Sequence, residues 1–270
     1  MASLPGIEDA IARLGPLLVV LFLGVARTTT MLMVTPFLGR GVLTGVARNG
    51  VVLGLTLPVL PRLEAALPPG LDTGDVWLIA ALAVKESVIG LLLGLPLAVL
   101  SWGIETAGVL IDNQRGSTSA SSLDPATGNQ ASPTGIMLAQ LYTVWLFVSG
   151  GFLALLDLLY RSHLVWPAWQ FLPALGAEFP RHMLGMLDSV MMLALLMAGP
   201  AIAVMFLSEA GLALVSRFAP QLQVFFLAMP VKSAVGLLAL ALSLGILMEE
   251  ATRRLGDSEA VLGVVGGWLR

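Results

Sequence analysis

The chain is 270 residues long, 57% hydrophobic and only 11% charged, with a mean hydropathy of +0.91. A water-soluble domain carries about a quarter charged residues to hydrate its surface, so this composition excludes a soluble globule and sets apolar surface against lipid or other subunits. A net charge of -3 with no basic cluster larger than Arg253–Arg254 excludes a nucleic-acid binder, and the lack of cysteine excludes disulfides, thiolate metal sites and cysteine nucleophiles.

Met1 to Asp9 lacks the basic stretch of a cleavable signal peptide and includes Glu8 and Asp9, so insertion is expected to rely on the hydrophobic segments themselves. Six apolar stretches follow in chain order: Leu14–Pro36, Val42–Leu60, Val76–Ile104, Gly135–Leu156, Ser189–Leu207 and Phe218–Met248. Gly135–Leu156 and Ser189–Leu207 are free of charge over a length that crosses about 30 Å of hydrocarbon. The other four are interrupted by Arg27, Arg48, Lys85–Glu86 and Lys232, and Pro58, Pro96, Pro200 and Pro230 read as helix breakers within apolar runs. The expected fold is all-α: a membrane-associated subunit of helical hairpins, with about six hydrophobic segments and broken helices.

Charge near a bilayer centre costs about 2.5–3.5 kcal/mol on insertion scales, so it normally faces a bundle interior or an aqueous path. Arg27, Lys85, Glu86 and Lys232 would face lipid in an isolated bundle, so partner subunits are expected to bury them. Two roles are open for Arg27, Lys85, Glu86, Glu209, Arg217 and Lys232: interhelical or intersubunit pairs that specify assembly, or a lining for a substrate path. Gly50–Gly54 and Gly90–Gly94 are both small-residue steps that let helix backbones approach closely. Arginines fall almost evenly on the two sides of the segments, so charge bias sets no orientation. The two histidines, His163 and His182, stand far apart without acidic or histidine neighbours at ligand spacing and read as solvated loop residues.

Between the third and fourth segments runs a polar stretch, Glu105–Pro133. Asp112, Asn113, Gln114 and Arg115 concentrate donors and acceptors in four residues, and Gly116 is followed by Ser117, Thr118, Ser119, Ala120, Ser121 and Ser122, all small. Serine and threonine compete for backbone hydrogen bonds and disfavour regular helix, and Asp124 before Pro125 closes the segment. One reading is an exposed interhelical loop; the other is a compact plug folded into a narrow protein-lined conduit. No catalytic, cofactor or metal site is expected: Asp112 and Asp124 have no nucleophile or metal set around them, and no histidine or lysine in the segment activates a hydroxyl.

Gly108-Val-Leu-Ile-Asp-Asn-Gln-Arg-Gly116, followed by Leu123-Asp-Pro-Ala-Thr-Gly128 and Ser132-Pro133, resembles the signature of the SctT/FliR family of type III secretion export apparatus proteins. Leu158-Leu-Tyr-Arg-Ser-His-Leu-Val-Trp-Pro167, Arg217-Phe-Ala-Pro-Gln-Leu-Gln-Val-Phe225 and Ala228-Met-Pro-Val-Lys-Ser233 are similar to later family segments, so the resemblance spans nearly the whole chain. The Asp-Asn-Gln-Arg-Gly and Met-Pro-Val-Lys-Ser runs favour the injectisome branch over the flagellar one, and Gln223 departs from the family's usual asparagine. The resemblance implies one copy of this chain in an inner-membrane export gate with several copies of R-type and S-type subunits. It also implies a U-type switch protein and a large V-type subunit nearby, and unfolded proteins as cargo. It implies no cofactor and no nucleic acid. Residues 1–134 would resemble an R-type subunit and residues 135–270 an S-type subunit. The assembly would lie largely above the membrane plane. Within a plug segment at about 108–125, Leu110, Ile111, Asp112 to Ser122, Leu123 and Asp124 would block the lumen. A polytopic secondary transporter or permease subunit is the alternative, though no internal repeat joins the surroundings of Pro96 and Pro200.

Overall fold

A computed structural model describes residues 5–36, 45–70, 74–116, 132–170, 179–219 and 224–256, and every regular element among them is a helix. Ser117 to Asp124 of the plug segment, Gln223 and the side chain of His182 lie outside the described residues. The helices are α1 (Pro5–Val34), α2 (Gly45–Thr56), α3 (Leu60–Ala65), α4 (Val76–Arg115), α5 (Pro133–Val148), α6 (Gly151–Val165), α7 (Phe179–Phe218) and α8 (Val224–Gly256). Stretches of α1, α4, α7 and α8 are long and apolar enough to cross a membrane, and α5 with α6 would make a fifth span.

The prolines act unequally. Pro96, Pro200 and Pro230 lie inside α4, α7 and α8 without ending them. A proline in a long apolar helix removes one backbone bond, and neighbouring helices and local adjustments can re-satisfy the freed groups. Pro58 does break its segment: Leu57–Val59 is a 3₁₀ turn, so Val42–Leu60 becomes the short helices α2 and α3 and no single span. Gly135–Leu156, charge-free in sequence, is interrupted at Ser149–Gly150, where Gly150 adopts φ +84° and the chain restarts as α6. A left-handed φ is open to glycine at no steric cost. The polar stretch beginning at Glu105 is helical as far as Arg115, so its first eleven residues close α4 rather than forming a loop.

Two compact units share the chain. The first holds α1, α2, α3, α4 up to Ala98, and α6 with the turn after it. Its core gathers Val20, Val59, Leu63 and Ala168, with Leu60, Tyr160 and Trp169 against them. Tyr160 Oη donates to the Leu55 carbonyl near the end of α2 (3.3 Å), and Trp169 Nε1 to the Leu63 carbonyl in the last turn of α3 (3.1 Å). Carbonyls of a helix's last turn lack intrahelical donors, and side chains from α6 and the turn after it supply them here. Gly90 and Gly94 lie flat on α1: a methyl group at either would run into the backbone of Arg27 or Met31. Gly50 and Gly54, the same step in sequence, face open space within the chain.

The second unit holds α4 from Val99, α5, α7 and α8. Gly103 abuts Leu193 and the Val190 carbonyl of α7, and Gly236 of α8 abuts Met205. Leu193, Ala194, Met197, Ala198, Ala201 and Met205 form the buried stripe of α7, at the i, i+3, i+4 spacing of one helix face. The most apolar stretch of α4 is 56% buried within the chain, against 33% in α7 and 22% in α8, so these two helices keep most of their apolar surface uncovered.

Candidate functional site: buried charges and the polar end of α4

Arg27 sits in the middle of α1 and is fully buried with Glu86 of α4. Its Nε and Nη2 donate to the two Glu86 oxygens at 2.5 and 3.0 Å, the paired fork that suits a guanidinium to a carboxylate. Nη1 donates to Ser162 Oγ and Nη2 also to the Trp166 carbonyl, both at 2.9 Å. Lys85 completes the group: Nζ lies 2.7 Å from Glu86 Oε1 and donates to the carbonyls of Pro167 (3.3 Å), Ala168 (2.7 Å) and Gln170 (3.0 Å). The last turn of a helix exposes carbonyls without intrahelical donors and carries partial negative charge. Two cations thus meet one carboxylate plus the carbonyls at and beyond the C-terminal end of α6.

This corrects the expectation that Arg27, Lys85 and Glu86 would face lipid in the isolated chain and await partner subunits. The chain buries and pairs them itself, because α1, α4 and α6 bring complementary groups to one point of the first unit. Ser162 and Trp166 supply that complement and were missed as functional residues, although both stand in the family-like segment Leu158–Pro167. Ser162 stands between Arg161 and His163, and a backbone carbonyl such as that of Trp166 leaves no mark in the sequence, so no spacing rule pointed to either. His163 is likewise no solvated loop residue. It lies in α6, is 5% exposed, and neither ring nitrogen has a hydrogen-bond partner among the described residues.

The second constellation closes α4. Asp112 is fully buried and Ile111 beside it is too, whereas Leu110 is half-buried and Asn113 and Gln114 are exposed. The Asp112 carboxylate accepts from Ser132 Oγ (2.7 Å), the Thr134 backbone N–H (2.9 Å) and Thr134 Oγ1 (2.6 Å), all at the start of α5, and from Arg115 Nη2. Arg115 also donates to Thr134 Oγ1 at 3.1 Å and to Ser233 Oγ of α8 at 3.3 Å. Ser132 caps α5, accepting from Gly135 N–H at 3.0 Å, with Pro133 as the first helical residue. Gly116 ends α4 at φ +74°, its N–H bonded to the Asn113 carbonyl. Sequence reading singled out Asp112 and Arg115 but not Thr134 as their partner; the Ser-Pro-Thr capping pattern was the available signal.

The remaining charges lie elsewhere in the second unit. Lys232 Nζ reaches Glu209 Oε2 at 2.8 Å, with the Glu209 side chain 53% exposed, and Arg217 is exposed in the last turn of α7 with no ion pair among the described residues. No group of three metal-ligating side chains occurs among the described residues. The arrangement holds helices together by buried polar bonds and presents no nucleophile beside a base.

An all-α chain with four to five membrane-length helices and charge networks between them is a multi-pass membrane protein. Residues 18–258 match the family described as Bacterial export proteins, family 1, and the chain belongs to it. It is 38% identical to Yop proteins translocation protein T of Yersinia pestis, over 92% of this chain and 93% of the relative. It is 33% identical to Surface presentation of antigens protein SpaR of Salmonella typhimurium, over 86% of each. Flagellar biosynthetic protein FliR of Bacillus subtilis is 28% identical over 82% of this chain and 84% of the relative. The higher identities to the non-flagellar relatives support the injectisome branch of the family, as the Asp-Asn-Gln-Arg-Gly run implied.

Proposed function

We propose that the chain is a single-copy core subunit of a type III secretion export gate in the bacterial inner membrane. It assembles with several copies of R-type and S-type subunits, near the U-type switch protein and the large V-type subunit, and admits unfolded secreted proteins. Residues 1–134 take the place of an R-type subunit and 135–270 that of an S-type subunit, and the assembly stands largely above the membrane plane. Leu110–Asp124 plugs the lumen at rest. Membership of an export family supports this reading, as does the name translocation protein carried by a relative of nearly equal length.

The observation that carries it is the uncovered apolar surface of α7 and α8, which includes Glu209 and Arg217. A lipid-facing surface rarely carries charge among apolar side chains, whereas a subunit interface can cover the half-exposed Glu209–Lys232 pair and supply Arg217 an acceptor. The charged end of α4 and the small residues after Gly116 support the plug. Two measurements test the reading. Complexes purified through this chain should contain unlike subunits and one copy of it; recovery of the chain without unlike subunits from cells that express the whole apparatus overturns the gate assignment. Deleting Ser117–Ser122 should raise dye and ion entry in cells that still assemble the complex; unchanged entry overturns the plug.

A further inference from the structure

We infer that His163 makes the first unit sensitive to acid: its uncharged ring completes the buried contact of α1, α4 and α6, and a proton on that ring opens the contact. The inference stands apart from the gate reading, because every residue in it belongs to the first unit. His163 lies in the last turn of α6 and is 5% exposed, and neither ring nitrogen has a hydrogen-bond partner among the described residues. Ser162 beside it and the Trp166 carbonyl three residues on both hold Arg27. The charges that act on the ring from the surrounding helices are Arg27 of α1, Arg62 of α3 and Lys85 of α4, all positive. No described carboxylate on these elements serves the ring. Glu86 of α4 is shared by Arg27 and Lys85, Asp157 of α6 is bonded to Arg161, and Glu64 of α3 is exposed. The Tyr160 hydroxyl of α6 donates to the Leu55 carbonyl.

A neutral imidazole carries one N–H and one acceptor nitrogen, whereas a protonated one carries two N–H donors and a charge. Here the proton would set a third cation against a single carboxylate and add a donor without an acceptor, at a place almost closed to water. An unpaired buried charge costs far more than an unpaired polar group, so the ring is uncharged whenever the contact is closed. In the opened chain the ring takes a proton at its ordinary value of about 6.5. Below about pH 6.5 the open state therefore binds one more proton than the closed one, and acid favours opening; well above it both states bind none and His163 has no effect. The bonds lost on opening run from Arg27 to Ser162 and the Trp166 carbonyl, and from Lys85 to the Pro167 and Ala168 carbonyls. They join α6 and the turn after it to α1 and α4. The ring itself makes no hydrogen bond among the described residues, so an apolar side chain of similar size can fill its place. What the histidine adds is the response to pH.

The test uses the solubilised complex that contains this chain, heated in steps at about one pH unit above and one below the ordinary histidine value. The readout is the amount of chain that resists each step. Wild type should lose resistance on acidification, by up to about tenfold in the folded population per pH unit, the slope of one proton. His163→Leu and His163→Gln cannot titrate there, and each should remove that one-proton slope while keeping the resistance seen at the higher pH. The chain has only two histidines, so His182→Gln is the matching control and should leave the slope as it is. A merely structural role for the ring would lower resistance at both pH values alike and would not change the slope. A slope that survives in both His163 variants overturns the inference, and so does a slope lost in His182→Gln but kept in them. If neither His163 variant assembles even at the higher pH, the ring serves packing and the inference is overturned.

Discussion

Glu86→Gln is the sharpest perturbation of the first unit. The side chain keeps its shape and one acceptor oxygen, but the charge that answers both Arg27 and Lys85 is gone. Glu86 and Arg27 are both fully buried, and Arg27 is left with neutral acceptors alone: the one amide oxygen, Ser162 Oγ and the Trp166 carbonyl. Removing one partner of a buried ion pair costs about 3–5 kcal/mol, chiefly because the other charge stays buried without compensation. With two cations depending on one carboxylate, the upper part of that range is expected, and each 1.4 kcal/mol is roughly a tenfold loss in the folded population. Lys85→Ala should cost less, because its side chain is 9% exposed and the carbonyls it releases lie near the exposed Gln170. Replacing Arg27, Lys85 and Glu86 together by Met, Met and Leu should recover much of the loss, since the desolvation cost goes with the charges. The assay is the amount of chain in the solubilised export complex after graded heating. Normal amounts and an unchanged midpoint for Glu86→Gln would refute the structural account. Normal amounts with secretion abolished would instead assign Glu86 to the path of the transported polypeptide.

Other substitutions separate surfaces the chain uses from those it leaves free. Gly90→Ala and Gly94→Ala push a methyl into the α1 backbone and should each cost about 1–3 kcal/mol or more in thermal unfolding. Gly50→Ala and Gly54→Ala meet open space on α2 and should leave the unfolding free energy of the detergent-solubilised chain unchanged or raise it by up to about 1 kcal/mol through helix propensity; a loss there would refute the free surface. Lys232→Ala removes a pair whose carboxylate is 53% exposed, so the solubilised chain should lose only about 0–1 kcal/mol. The assembled complex should lose distinctly more, and an equally small effect in both would argue against a subunit covering α7.

The parts of the fold legible in the sequence are those that depend on composition and on long apolar runs. The helical class and the apolar runs that become α1, α4, α7 and α8 follow from hydrophobicity and residue inventory. Proline and glycine were read less well, because their effect depends on neighbours. Pro96 and Pro200 match Pro58 as sequence signals, yet of the three only Pro58 falls where one helix gives way to the next, through the 3₁₀ turn Leu57–Val59. The break at Gly150 falls in a run whose hydrophobicity is uninterrupted, so a hydropathy reading passes over it. The two small-residue steps are identical in pattern, but only Gly90–Gly94 meets another helix inside the chain.

Charge shows the same division between local and long-range information. A guanidinium in the middle of an apolar helix declares that it must be paired, since leaving it in hydrocarbon is too costly. It does not declare its partner. Arg27 finds Glu86 at a separation of 59 residues and Ser162 at 135, distances at which no spacing rule operates. Asp112 finds Ser132 and Thr134 across a segment whose own sequence says only that it is small and polar. Several of these partners stand in the family-like segments, namely Ser162 and Trp166 in Leu158–Pro167, Ser132 beside Pro133, and Ser233 at the end of Ala228–Ser233, whereas Arg27, Glu86 and Thr134 lie outside them. These separated motifs are therefore parts of the same contacts. A buried charge obliges the chain to bring acceptors or donors from elsewhere, and the main chain shares that task with side chains: the carbonyls of Trp166, Pro167 and Ala168 and the Thr134 N–H all serve these charges.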